Sequence, residues 1–224
     1  YEQLQYVEDY NVPTPKENEV LIQITAAAIN NTDINTRIGW YSKNDNNAED
    51  ASWTGESLTF PKIQGADVCG YIVEVGKNID SSRIGERVLL EPSLQKINGK
   101  QLENPWYLGS ECDGGFAQYT VVSNEHAYKI NSTYTDIELA SFPCSYSTAE
   151  NLLTRANVNQ NDVVLISGAS GGVGSAAIQL AKARGAKVIA ITSPSKFDEI
   201  KSLGASQVIS RHDDIVEVLG KRSI

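Results

Sequence analysis

The chain has 224 residues, enough for one large domain or two small ones. Its composition, 41% hydrophobic and 21% charged, is ordinary for a globular protein, and its formal net charge of -9 argues against binding to nucleic acid or to an anionic membrane surface. No apolar run approaches the roughly 18 residues of a membrane-spanning helix. The first residues lack a signal-peptide pattern, and the three cysteines are too widely spaced for a disulfide framework. We therefore expect a cytoplasmic protein with no nucleic-acid or membrane partner.

The first part of the chain is predicted to consist of short β-strands. Four runs of β-branched and apolar residues, bounded by turn residues such as Gly76 and Gly85, predict strands at 20–27, 68–75, 87–90 and 116–122. Short strands at irregular spacing are typical of a small β-barrel. Two polar segments, 42–59 and 95–110, are predicted to be long surface loops.

Beyond residue 131 the pattern changes to alternating helices and strands. A short helix is predicted up to Phe142, capped by Asp136, and another begins at Ser147. The remaining elements are predicted as strands at 163–166, 187–192 and 207–209 and as helices at 176–182, 195–203 and 213–219. Such alternation predicts an α/β fold with a parallel sheet and crossover helices.

A glycine-rich turn joins the strand at 163–166 to the helix that follows it. Its residues Ser170, Gly171, Gly172 and Val173 place the N–H groups of a helix N-terminus where a dinucleotide pyrophosphate binds, and the missing side chains let the phosphates come close. The alternative is a tight turn that binds nothing. The strand, turn, helix and second strand together favour nucleotide binding.

Three groups of residues together resemble signatures of the medium-chain dehydrogenase/reductase superfamily. They are 65–76 with 84–88, 113–119, and the nucleotide turn at 169–174. The resemblance implies a GroES-like β-barrel catalytic domain at 1–134, a Rossmann NADP-binding domain with a doubly wound parallel sheet at 135–224, and an active site in the cleft between them. Family members are longer, so we expect only the first half of the Rossmann sheet here, and no self-sufficient enzyme in residues 1–224. For the full-length protein we expect a homodimer.

The residues at the family's zinc-ligand positions indicate which branch of the superfamily this chain resembles. Asn30 stands where zinc alcohol dehydrogenases carry a Cys ligand, Ala66 stands where they carry a His ligand, and only Cys144 matches a third ligand. Zinc needs three protein donors plus water, so no metal is expected, and a residual site of Asp67, Cys144 and water would hold zinc poorly. The segment 95–113 also lacks the four cysteines of a structural-zinc lobe. The chain thus resembles the zinc-free, quinone-oxidoreductase-like branch.

The end of the second Rossmann strand indicates the cofactor. NAD-binding folds usually place an acidic residue there, which bonds the ribose 2′-hydroxyl. This strand ends instead in Thr192 and Ser193, followed by Ser195 and Lys196, and Arg211 corresponds to a position beside the adenosine. Hydroxyls and cations suit a 2′-phosphate, so NADPH is favoured over NADH. The alternative for Lys196 is a solvated residue at the start of a helix.

Without zinc, a substrate must delocalise its developing negative charge itself. We therefore expect hydride transfer from NADPH to a small electrophilic carbonyl compound, either a quinone or an α,β-unsaturated carbonyl. Three catalytic positions are predicted. Asn30 would bond the carbonyl or the nicotinamide ribose, Thr148 corresponds to a residue that flanks the nicotinamide, and Tyr41 is a candidate acid or cleft wall. A tyrosine common in the branch falls at Asn35, so the resemblance does not assign the proton donor.

Each catalytic position also has a structural interpretation. Asn30 can cap a turn, Thr148 can cap a helix, and Tyr41 can simply pack. A packing role is likewise expected for Cys144. Two other functions stay open: a zinc-type alcohol dehydrogenase, and a non-catalytic NADPH-binding protein of the same fold.

Overall fold

The computed structural model describes residues 4–41, 54 and 57–221. It divides into two compact units, Tyr1–Pro143 and Cys144–Ile224. The division thus falls after Pro143 rather than after residue 134. The reason is that helix α2 (Asp136–Ala140) packs on the first two strands, where Leu139 and Ala140 share a buried cluster with Cys69.

The first unit is built on an antiparallel sheet. Its elements before α2 are β1 (Glu19–Ala28), α1 (Asn31–Arg37), β2 (Asp67–Val75), β3 (Arg87–Leu90), β4 (Ser93–Ile97), β5 (Lys100–Tyr107), β6 (Tyr119–Ser123) and β7 (Ala127–Lys129). Five strands pair in the order β6-β1-β2-β3-β7, and β4 pairs with β5. Val20 and Ile22 of β1, and Val68 and Ile72 of β2, are fully buried and belong to one hydrophobic core cluster. The predicted strands β1, β2 and β3 are confirmed.

The segment predicted as a loop at 95–110 is instead mostly a β-hairpin, β4–β5. Its turn residues Asn98 and Gly99 have positive φ angles of 47° and 76°, which two-residue hairpin turns require. The Asn-Gly pair was the sequence signal for this hairpin, and the surrounding polar residues obscured it. The other predicted loop, 42–59, lies mostly outside the described residues.

The strand predicted at 116–122 begins only at Tyr119. The preceding backbone has other partners, because the N–H groups of Gly114, Gly115 and Phe116 donate to the carbonyls of residues 63, 65 and 64, each at 2.8 Å. A Cβ at Gly114 would lie 2.4 Å from the Gly65 carbonyl oxygen. The glycines therefore let this segment lie directly against the chain that leads into β2.

The second unit contains a parallel sheet, as predicted. Its elements are α3 (Pro143–Arg155), β8 (Val163–Ile166), α4 (Gly172–Ala183), β9 (Lys187–Thr192), α5 (Phe197–Leu203), β10 (Gln207–Ser210) and α6 (Ile215–Leu219). The strand order β10-β9-β8 matches one half of a doubly wound sheet. Small residues of α4, including Ala176 and Ala181, are fully buried with Val188 and Ala190 of β9. This packing fixes the start of α4 beside the end of β8.

Two predicted helix starts are corrected. Thr135, not Asp136, caps α2: its hydroxyl accepts from the Glu138 N–H at 3.3 Å, and the Glu138 carboxylate accepts from the Thr135 N–H at 2.8 Å. Asp136 instead pairs with Arg87. In the second unit α3 begins at Pro143 rather than at Ser147, so Thr148 lies inside the helix and does not cap it.

Candidate nucleotide-binding turn and active-site residues

The predicted nucleotide turn has the backbone geometry that the motif requires. Gly168 has a φ angle of +59°, which favours glycine, and Gly171 is the N-cap of the 12-residue helix α4. A Cβ at Gly174 would lie 2.4 Å from the Gly168 carbonyl oxygen, so this position tolerates no side chain without a backbone shift. Ser170, Gly171 and Gly172 are exposed, whereas Val173 is half-buried against the core. The backbone at Ser170 and Gly171 is therefore open to solvent, while the Ser145 hydroxyl lies close to Gly172.

The ends of β9 and β10 gather most of the other predicted cofactor residues. The Arg211 N–H donates to the Thr192 carbonyl at 2.9 Å, and the Lys196 N–H donates to the Ser193 carbonyl at 2.9 Å. Ser193 lies at the N-cap position of the 3₁₀ helix Pro194–Lys196, in which Ser195 is exposed. These residues thus lie together at the carboxyl edge of the parallel sheet, where ligands of such sheets bind.

The Thr192 side chain is 4% exposed, and its buried hydroxyl has no hydrogen-bond partner among the described residues. A buried hydroxyl in this state is normally satisfied by a ligand or an ordered water. No acidic residue lies between Thr192 and Asp198. The exposed glycines at the start of α4 and the unpaired hydroxyl at the sheet edge fit a bound dinucleotide.

The predicted catalytic residue Asn30 lies at the N-cap position of α1, which agrees with its structural interpretation as a cap. Its backbone N–H donates to Oδ2 of Asp33 at 2.8 Å, and its side-chain Nδ2 donates to Oδ2 of Asp67. Asp67 is fully buried at the first position of β2. The Asp67 partner was not predicted, although a carboxylate at the first position of a predicted strand was visible in the sequence.

Asp33 connects the start of α1, where Asn30 lies, to the chain that leads into β2. Burial raises the pKa of the Asp33 carboxyl, while backbone N–H groups of Asn30, Ala66 and Gly65 and the charge of Arg37 oppose that rise. The Gln64 side chain donates to the Asp33 carbonyl at 2.9 Å. Because residues 63–65 are also held by 114–116, the start of α1 and the start of β2 are fixed relative to each other.

Tyr41 follows α1, and its hydroxyl has polar partners on that helix. Its hydroxyl lies 3.4 Å from Oγ1 of Thr32 and accepts from the Asn35 amide at 3.3 Å. Thr32 is buried and Tyr41 is half-buried, so the phenol is a hydrogen-bonded group and not simply a packing residue. Its position beside Asn35 brings a phenol close to the place where the family resemblance expects a tyrosine.

The remaining predicted positions, Thr148, Cys144 and Ala66, do not share the surroundings of Asn30 and Tyr41. Thr148 is exposed on α3, and Cys144 is 9% exposed at the start of the same helix. Ala66 is fully buried. None of the three cysteines forms a disulfide. Within 4–41, 54 and 57–221, no three His, Cys, Asp or Glu side chains lie together in a way that could hold a metal ion.

Known protein families match both units. Residues 16–132, more than half of the chain, match the alcohol dehydrogenase GroES-like domain, and residues 172–223 match the zinc-binding dehydrogenase family. A solved structure of a candidate alcohol dehydrogenase from Sinorhizobium meliloti is 44% identical, with a TM-score of 0.86 over 96% of this chain and 61% of that chain. The predicted fold class, a GroES-like domain followed by a Rossmann domain, is thereby confirmed.

Curated relatives carry several activities. The 2-methylene-furan-3-one reductase of Solanum lycopersicum is 33% identical over 88% of this chain and 46% of its own length. The NAD-dependent alcohol dehydrogenase of Sulfolobus acidocaldarius is 31% identical over 93% and 61%. The quinone oxidoreductase of Homo sapiens is 28% identical over 96% and 58%. This chain therefore spans about half to three-fifths of the length of the curated relatives it matches.

The chain belongs to the medium-chain dehydrogenase/reductase superfamily, as its motifs predict, and its relatives include the quinone-oxidoreductase-like branch. Members of this superfamily use nicotinamide cofactors, of which both NAD and NADP occur among the relatives. No helix in the described part of the chain is long and apolar enough to cross a membrane.

Proposed function

We propose that this protein transfers a hydride from NADPH to a quinone or an α,β-unsaturated carbonyl compound without catalytic zinc. The observation that carries the proposal is the contact between the Asn30 amide and the buried Asp67 carboxylate. At the positions where the zinc branch holds its metal, this chain has an amide engaged with a carboxylate and, at Ala66, a fully buried methyl group. Such a site provides no Lewis acid for the oxidation of a simple alcohol.

Quinones and enones do not need that Lewis acid. When they accept a hydride, the negative charge delocalises into a hydroquinone anion or an enolate, which hydrogen bonds and a proton source can stabilise. The furanone reductase and the quinone oxidoreductase among the relatives act on compounds of these types by their names. Their identity of about a third or less supports the substrate class and does not assign the particular substrate.

The preference for NADPH is supported by the edge of the parallel sheet. Bound NADPH supplies the hydride. The N-terminus of α4 would hold the pyrophosphate, and Thr192, Ser193, Ser195, Lys196 and Arg211 would surround the 2′-phosphate. Thr192 contributes an unpaired buried hydroxyl, and the cations Lys196 and Arg211 complement a dianion.

Protonation of the product is proposed for Tyr41 or a water molecule beside it. The Tyr41 hydroxyl donates to Thr32 and accepts from the Asn35 amide, and the two hydrogen bonds hold its oxygen in place. Thr148 is proposed to flank the nicotinamide, and its exposure on α3 leaves it accessible to a ligand.

The test is a substrate panel on the full-length protein. Quinones and enones are offered with NADPH, simple alcohols are offered with NAD and NADP, and cofactor turnover is followed by absorbance. We expect NADPH consumption with at least one quinone or enone and negligible alcohol oxidation. Zinc-dependent alcohol oxidation would establish the dehydrogenase alternative, and tight NADPH binding without any turnover would establish a non-catalytic binding protein.

A further inference from the structure

A serine of α3 reaches the start of α4. Ser145 lies in the first turn of α3, and a Cβ at Gly172 would lie 2.5 Å from its Oγ but 3.5 Å from its Cβ. The hydroxyl is thus nearer than the methylene group and points towards the Gly172 backbone. Gly172 is exposed and is the first residue of α4 after the N-cap. Ser145 therefore places a hydroxyl at the helix start where the pyrophosphate is proposed to bind.

This hydroxyl is buried and unpaired. Ser145 is 6% exposed, and its Oγ has no hydrogen bond with any residue that the structure describes. A buried hydroxyl without a partner costs free energy, so such groups usually meet a ligand or an ordered water. The Ser145 side chain therefore has an unused donor directed at the start of α4.

The position of α3 does not depend on the Ser145 hydroxyl. The Tyr146 hydroxyl accepts from Nε2 of Gln179 in α4 at 2.9 Å. Further along the two helices, the Arg184 guanidinium donates to the Glu150 carboxylate. These contacts hold α3 against α4, so the chain keeps Ser145 in place without using its oxygen.

The start of α4 offers backbone donors that suit the same ligand. The Ser175 N–H donates to the Gly171 carbonyl at 2.8 Å. The N–H groups of Gly172, Val173 and Gly174 come earlier in the helix and have no acceptor within it. Together with the helix dipole they favour an anion. A phosphate oxygen beside them would also be an acceptor for the serine hydroxyl.

We propose that Ser145 binds the pyrophosphate of the cofactor, donating its hydroxyl to a phosphate oxygen at the N-terminus of α4. This inference rests on the proposed function and deepens it, because it adds a side-chain donor to a site otherwise built from backbone N–H groups. The pyrophosphate is common to NADPH and NADH. Ser145 therefore contributes to the affinity for both cofactors, whereas Lys196 discriminates between them.

Two mononucleotides separate the two phosphate sites in titrations of the full-length protein. ADP carries the 5′-pyrophosphate, whereas 2′-AMP carries only the 2′-phosphate. Ser145→Ala should weaken ADP binding about tenfold, the scale of a hydrogen bond to a charged group, and leave 2′-AMP binding unchanged. Lys196→Ala should do the reverse, weakening 2′-AMP and leaving ADP unchanged.

A second readout distinguishes binding from a structural role. Ser145→Ala removes no hydrogen bond from the unliganded protein, so its melting temperature should stay the same or rise. Tyr146→Phe is the matched control, because it removes one hydroxyl from the next position of α3. Gln179 then keeps its other acceptor, the Ser175 carbonyl at 3.3 Å, and ADP affinity should equal that of the parent.

Unchanged ADP affinity in a folded Ser145→Ala variant would overturn the proposal. An equal loss of affinity in Tyr146→Phe, or a lower melting temperature with both nucleotides weakened, would overturn it too, because Ser145 would then act through the packing of α3 on α4. A parent protein that binds no ADP would place the pyrophosphate elsewhere. The expected nucleotide pattern in a protein that reduces no quinone or enone would instead refute the proposed function and leave the role of Ser145 intact.

Discussion

The ammonium group of Lys196 lies 2.9 Å from a carboxylate oxygen of Glu199, three residues further along the chain. The two side chains are 51% and 58% exposed, so water screens the pair and it contributes little to stability. A 2′-phosphate carries two charges and would compete effectively for Lys196. Lys196, the cation predicted to select NADPH, is therefore paired with Glu199, and that pair is weak.

Lys196→Ala should weaken NADPH binding by about tenfold or more and leave NADH binding nearly unchanged, because only NADPH carries the 2′-phosphate. Titration calorimetry with both cofactors measures the two effects. Lys201→Ala is the matched control, since Lys201 is an exposed lysine on the adjoining helix α5. Equal affinity of the parent protein for NADPH and NADH would refute the assignment.

Glu199→Gln should strengthen NADPH binding by a few-fold. The substitution releases Lys196 and removes a carboxylate that repels the incoming phosphate. The gain should shrink as salt concentration rises, because both groups are exposed. A gain of the same size for NADH would show that Glu199 acts elsewhere on the cofactor.

Two glycines of the nucleotide turn should respond differently to alanine. At Gly171 a Cβ would meet only the Gly168 carbonyl oxygen, at an ordinary 3.4 Å, so Gly171→Ala should fold normally and weaken the cofactor by crowding its phosphates. At Gly174 a Cβ would press on the backbone of Gly168 and Ala169, so Gly174→Ala should lower the melting temperature as well. Thermal melts and cofactor titration separate the effects. Unchanged NADPH affinity in Gly171→Ala would place the cofactor elsewhere.

The first unit should lose stability in mild acid because of His126. Nε2 of this buried side chain accepts the N–H groups of Gln95 and Lys96 in β4, each at 3.2 Å, and burial lowers its pKa. The neighbouring charges Glu125 and Lys96 act in opposite directions and pair with each other at 2.6 Å. Protonation would replace the acceptor at Nε2 with a donor facing two donors.

Because the pKa of folded His126 lies below its unfolded value of about 6.5, the unfolded chain binds more protons, and stability should fall as pH drops below that value. Denaturant unfolding between about pH 5 and pH 7 tests this. His126→Gln should flatten the dependence, since an amide oxygen can accept but does not titrate. His212→Gln, at an exposed histidine, is the control and should leave it unchanged. Equal pH slopes for the parent and His126→Gln would contradict the prediction.

Metal analysis after dialysis without a chelator should find far less than one zinc per chain. Asn30 is already bound to Asp67, and Ala66 offers no donor, so Cys144 would lack the partners that a zinc site needs. Stoichiometric zinc, together with activity lost to a chelator, would restore the alcohol dehydrogenase alternative.

Local sequence patterns determined much of this fold. The bounds of β3 and β9 and the turn between β8 and α4 could be predicted, because apolar periodicity and glycine act over a few neighbouring residues. The Asn-Gly turn of the β4–β5 hairpin is equally local and was missed among polar residues. The start of α3 differs from the predicted one, Pro143 instead of Ser147, because a proline that would interrupt a helix is well tolerated in its first turn.

The sequence by itself determined which chemical groups this protein has: a nucleotide turn, a strand end with hydroxyls and a lysine instead of an acid, and an asparagine where a zinc ligand would stand. Only the tertiary structure decided what those groups contact. Asp67 lies 37 residues from Asn30 along the chain, and the Gly114 N–H donates to the Ile63 carbonyl before β2. Such contacts depend on how strands pair across the chain. Local propensity does not encode that pairing, so the contact between Asn30 and Asp67 is visible only in the folded chain.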